Sequence, residues 1–219
     1  MNAYEKYRTD GDINKIIDTI NDMQKGIISA CHGQYHAKFV VDMVEHILSA
    51  LSYDERTIEL SKIAALLHDI GSIAGRWNHA RKSAALAAVF LDGPVHFLPE
   101  EKDMITQAIE DHSAGSNISS AAGAALLIAD KVDISHKRVL PLETLDNWHK
   151  NLLEIKNVDV CVSDKAIVIN YITSEEFSKL LHISGYAKGF DQPAKAAKFL
   201  GCTCHFKFNG EEEFFTAFA

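Results

Sequence analysis

The sequence predicts a mainly α-helical fold, a helical bundle followed by a small α+β C-terminal appendage. Three observations carry that expectation. Before about residue 150, apolar residues recur at helical spacing in one segment after another. After it, short alternating runs take over, the period of a strand. The chain has 219 residues and is 47% hydrophobic, enough to build one or two packed cores.

The elements follow in order. Ile13, Ile16, Ile17 and Ile20 place a helix over 12–24. Residues 34–51 are strongly amphipathic, with Val40, Val44, Ile47 and Leu51 on one stripe. A helix over 54–68 starts at Asp54, a good cap, and stops at Ile70-Gly71. The alanine-rich stretch 78–91 ends at the turn Asp92-Gly93-Pro94. Residues 100–112 begin after Pro99 with acidic residues in the first turn, as the helix dipole prefers. A second alanine-rich helix covers 119–132. Beyond residue 150, strands are expected at 158–162 and 166–171 around a Ser163-Asp164 turn, and at 202–208 before Asn209-Gly210. Helices are expected over 174–182 and 193–200. The expected organisation is therefore one unit over 1–150 and a second over 151–219.

Composition narrows the partners. The net charge of −8 and pI near 5.7 argue against a nucleic-acid duplex. The start of the chain has no apolar leader, and no run of about 18 apolar residues occurs. Cys31, Cys161, Cys202 and Cys204 contain no CxxC pair and read as reduced thiols. The resulting expectation is a cytoplasmic protein with no membrane partner. Its oligomeric state is open, a homodimer included.

Eleven histidines are present, most of them before residue 150. His36 lies on the Val40–Val44 stripe, and His79 aligns with Ser83, Leu86 and Phe90. His112 continues Ile105, Ala108 and Ile109, while Asp130 follows Leu126 and Leu127. His68 and Asp69 stand together at a helix end, where both side chains can turn inward. Any one of these alone is an ordinary core, surface or capping residue. Several such residues on inward faces, from different helices, ask for a common partner, because buried charge is costly unless paired. A metal centre supplies one.

The order His36, His68-Asp69, Asp130 resembles the H…HD…D signature of the HD superfamily. "AALLHDIG", "NHARKSA", "AIEDHS" and "LIADKVD" resemble its four local contexts, across about residues 30–140. The resemblance implies a helical metal-dependent phosphohydrolase. It implies His36, His68, Asp69 and Asp130 around one metal, and Asp69 as a bridge with His79 and His112 around a second. A mixed histidine and carboxylate set favours iron or manganese, with zinc, cobalt, nickel and magnesium admissible. The expected chemistry is hydrolysis of a phosphate ester or anhydride in a nucleotide or related small phosphorylated metabolite by a metal-activated hydroxide. Asp69 is central to it, and Arg76, Lys82 and Lys131 are the candidate phosphate contacts. Lys131, Lys137, Arg138 and Asp133 have structural ion pairs as an alternative. Ser72 stands where cyclic-di-GMP phosphodiesterases of the superfamily carry Lys, and their GYP signature is missing. The layout resembles HD-type diadenosine tetraphosphate hydrolases and small HD hydrolases of unassigned substrate more closely. Two further readings share the ligand set: a mixed-valence di-iron oxygenase, and a non-catalytic nucleotide-binding regulator. His182, His205 and Glu211-Glu212-Glu213 read as solvated or structural.

Overall fold

The computed structural model describes residues 2–25, 31–93, 95–114, 117–140, 145–179, 182–183, 186 and 188–213. It is mainly helical. A short helix, α1 (Ala3–Arg8), leads into α2 (Gly11–Gln24), where Asp10 caps the start by accepting from the Asp12 and Ile13 amides. Then come α3 (Gln34–Ala50) and α4 (Glu55–Leu67), the latter capped by Asp54 as expected. A 3-10 turn (Ile70–Ala74) links α4 to α5 (His79–Leu91), followed by α6 (Pro99–Ala114) and α7 (Ala121–Val132). The expected bundle helices lie within a few residues of these bounds. Not foreseen were α1 and the 3-10 turn.

Bundle packing follows from the stripes. Val40, Val44, Ile47, Ile63, Leu67, Ile105, Ile109 and Leu127 are all essentially inaccessible to water. The residues of α7 from Ala122 to Ala129 are all buried. A helix that is apolar on every side belongs at the centre of a bundle, and α7 packs against α3, α4 and α6.

The C-terminal part begins with α8 (Asn147–Leu152), which spans the expected boundary at residue 150. Strands β1 (Ile155–Val162) and β2 (Ala166–Thr173) form an antiparallel hairpin. A helix, α9 (Lys188–Phe199), then crosses to β3 (Thr203–Phe208), which pairs parallel to β2. Antiparallel β4 (Glu211–Glu213) closes a four-stranded sheet of order β1-β2-β3-β4. Asn209 and Gly210 both have positive φ, 52° and 86°, the twist a two-residue hairpin turn needs. The helix expected over 193–200 starts five residues earlier, with Pro193 inside it. The helix expected over 174–182 is a correction in its first half. Residues 174–178 form a turn tied to α8, with the Asn151 side chain bonding the Ser178 amide and carbonyl. Residues 180 and 181 lie outside the described set.

The two parts share one continuous hydrophobic core, and α9 packs directly on α7. His182 is fully buried among Tyr171, Phe177, Tyr186, Phe190 and Phe208. Neither ring nitrogen has a hydrogen-bond partner among the described residues. Burial pushes its pKa down to about 4. The unfolded chain, at about 6.5, binds the extra proton between those values. Stability is therefore unaffected above pH 6.5 and falls as pH drops toward 4. Denaturant unfolding at pH 7.5 and 4.5 is expected to show a smaller loss for His182→Phe than for the wild type, by roughly 3 kcal/mol at most. Equal losses would contradict this account of His182.

Among the described residues no helix is long and apolar enough to cross a membrane. The four cysteines are unpaired.

Candidate metal centre

Five helices, α3 to α7, bring the six predicted residues together. His36 comes from the first turn of α3, His68 and Asp69 from the end of α4, and His79 from the start of α5. His112 comes from the last turn of α6 and Asp130 from α7. His36, His68, Asp69 and His112 are buried, while His79 and Asp130 keep a little exposure.

The placement has a local cause at Gly71. A Cβ there would lie 2.2 Å from the Ser83 amide nitrogen and 2.5 Å from the Lys82 carbonyl carbon. Only glycine lets the turn after His68-Asp69 press against α5, and the Gly71 amide donates to Ser83 Oγ at 2.9 Å. The chain then reverses through Gly75 and Asn78, both with positive φ, and delivers His79 back to the cluster.

His36, His68 and Asp130 offer donor atoms all within 4.8 Å of one another, and His68, Asp69 and His112 form a second such group. His68 therefore sits at the junction, where the sequence had placed Asp69 alone. His79 is adjacent to the second group, its Nε2 3.2 Å from His112 Nε2 and 3.4 Å from Asp69 Oδ1. Asp69 faces both halves. Its Oδ2 lies 3.3 Å from His68 Nε2 and 3.7 Å from His36 Nε2, while Oδ1 faces His79.

Hydrogen bonding at the far side of each ring decides what the near side offers. Nδ1 of His68 faces the Ala65 carbonyl at 2.7 Å, that of His79 the Arg76 carbonyl at 3.1 Å, and that of His112 the Ile109 carbonyl. A carbonyl only accepts, so each Nδ1 carries the proton and each Nε2 presents a lone pair. His79 and His112 thus point two lone pairs at each other across 3.2 Å, and His36 and His68 bring their Nε2 atoms to 3.1 Å. Facing lone pairs repel unless a cation lies between them. Burial pushes His112 down to about 3 and lowers His79 as well, which disfavours a shared proton between them. A metal ion fits between such donors. Two donors bound about 2.1 Å from one ion lie roughly 3.0–3.4 Å apart, which matches these separations.

The charges agree. Burial raises the Asp69 carboxyl, but His68, His32 and Arg76 outweigh it and hold it well below the ordinary carboxylate range. Burial likewise opposes ionisation of Asp130, and Lys131, His36 and His68 overcome it. Burial lowers His68, yet Asp69 and Asp130 leave its pKa raised.

The three predicted cations part company. Arg76 reaches the cluster, its guanidinium 3.4 Å from Asp69 Oδ1 and 3.3 Å from Ser72 Oγ. Lys131 pairs with Asp130 Oδ2 at 2.6 Å. The Lys82 ammonium turns instead to the Ala74 and Gly75 carbonyls, at 2.8 and 3.2 Å, and fastens the loop. Two neighbours were not foreseen. His32 is buried with its ring 5.7 Å from that of His36 and its Nδ1 2.9 Å from Gln24 Oε1. Tyr186, beyond the expected boundary, directs its hydroxyl to the Lys131 carbonyl at 3.4 Å. His32 precedes the start of α3, so no helical periodicity signals it, and nothing local signals Tyr186. No protein-family profile matches the sequence, and no curated protein matches it.

Proposed function

We propose that the chain is a metal-dependent hydrolase of the HD type that cleaves phosphate ester or anhydride bonds in a small phosphorylated metabolite, with a pair of iron or manganese ions. The observation that carries this reading is the convergence of four imidazole Nε2 atoms and two carboxylates, with Arg76 and Lys131 at their edge. When bound, the ions supply activation of water near neutral pH and polarisation of phosphoryl oxygens. The protein does the positioning. Asp69 offers one oxygen to each half of the cluster, the arrangement a bridging carboxylate requires. The half-exposed Arg76 is free to exchange Asp69 for an incoming phosphate oxygen, where guanidinium geometry suits bidentate contact. Lys131 holds Asp130 ionised and adds positive charge behind the transferred group. Trp77, next to Arg76, exposes 82% of its surface and gives a nucleobase a face to stack on.

The test is a panel of nucleotides and phosphate esters under argon, with protein reconstituted separately with iron, manganese, cobalt and zinc. Release of phosphate or a nucleoside monophosphate is the expected result. Inactivity with every metal, together with O₂ consumption by the di-iron form, would replace the hydrolase by an oxygenase on the same ligands.

A further inference from the structure

We propose that Asp133 is a positioning residue for the metal centre, setting the tautomer in which His36 presents a lone pair to the ion. The inference rests on the metal-dependent reading of the cluster. His36 differs from the other three histidines. Each of those bonds its Nδ1 to the carbonyl three residues earlier: Ala65, Arg76 and Ile109. For His36 that carbonyl belongs to Gly33 at the start of α3, where it accepts from the Ala37 amide. Its Nδ1 faces Asp133 Oδ2 instead, at 2.7 Å, from a residue 97 positions along the chain. Both side chains are fully buried.

A competitor stands at the same atom. The Arg138 guanidinium, also buried, brings NH1 to 2.8 Å from His36 Nδ1. The same nitrogen lies 3.2 Å from Asp133 Oδ2 and 3.0 Å from the Asp133 carbonyl. A guanidinium only donates and a carboxylate only accepts. If Arg138 supplied the hydrogen bond at Nδ1, the imidazole proton would sit on Nε2. It would then point at His68 Nε2 and Asp130 Oδ1, 3.1 and 3.3 Å away, and block ligation. With Asp133 accepting from Nδ1, Nε2 is free for metal, and Arg138 donates to the Asp133 carboxylate and carbonyl. Asp133 thus decides which face of His36 is basic.

The pairing is poorly built for any purpose except holding the imidazole. A salt bridge shaped for strength is bidentate. Here Arg138 engages the carboxylate through one nitrogen, and Asp133 Oδ1 and Arg138 Nε have no partner among the described residues. The stretch that ends α7 grips His36 from both sides: Asp130 beside Nε2 and, three residues on, Asp133 at Nδ1.

Nitrogen NMR of metal-free, histidine-labelled protein reads the tautomer directly, with the His36 signals assigned by their loss in His36→Gln. The wild type is expected to carry the proton on Nδ1. Asp133→Asn is expected to move it toward Nε2 and to weaken Mn(II) binding, followed by electron paramagnetic resonance titration, about 10–100-fold. Far-UV circular dichroism is expected to stay unchanged. A wild-type His36 protonated on Nε2 would overturn the inference without any variant. So would a folded Asp133→Asn protein that binds Mn(II) as tightly as the wild type. An Nδ1 proton in a wild-type protein that binds no Mn(II) would instead overturn the metal reading beneath it.

Discussion

Replacing Asp69 by asparagine is expected to remove metal binding and to lower turnover by about 10³-fold or more. Asp69 is the carboxylate with an oxygen toward each half of the cluster, so its loss weakens both halves together. Metal ions supply several kcal/mol of transition-state stabilisation, and each 1.4 kcal/mol or so is tenfold in rate. Asparagine keeps the volume and one acceptor for Arg76, so the metal-free variant is expected to stay folded. Metal content, turnover on the best substrate of the panel and circular dichroism together check the prediction. A variant that keeps full activity would remove Asp69 from the site.

Gly71→Ala is expected to have the largest effect on the fold of any single methyl addition near the site. The new Cβ would meet backbone atoms of α5, not a side chain that can swing away. Overpacking of this kind costs about 3 kcal/mol, which lowers the melting temperature of a chain this size by roughly 6–12 °C. The strain falls between the His68-Asp69 turn and the helix that carries His79. Metal affinity is therefore expected to fall along with stability. Thermal unfolding with and without Mn(II) measures both, and a variant unchanged in melting temperature would show that the turn and α5 can separate freely.

The two positions illustrate what local sequence could and could not convey. The bundle helices were legible because their apolar stripes are long and their caps ordinary. Val40, Val44 and Ile47 announce the buried face of α3, and His36 lies on it. The same logic pointed His79, His112 and Asp130 inward, while His68 and Asp69 were read from their place at a helix end. It could not say that Lys82 would bond to the Ala74 and Gly75 carbonyls, because that depends on a loop reversing through two left-handed residues. Nor could it place Asp133 on His36, or the Tyr186 hydroxyl beside Lys131, since these meet only when distant segments pack. The turn over 174–178 is similar. Its helical propensity loses to side-chain bonds from Asn151, which tie the segment to α8. His182 is the opposite case: a polar residue in a short, unremarkable stretch that the sheet and α9 enclose with aromatic rings.

The facing imidazoles and carboxylates are proposed to hold metal. Elemental analysis of protein purified without a chelating tag, repeated after anaerobic loading with iron or manganese and desalting, tests it most directly. The expected result is about two tightly held ions per chain, falling with His79→Ala and His112→Ala while His36→Ala disturbs the other half. Folded wild-type protein that retains no metal after loading would contradict it.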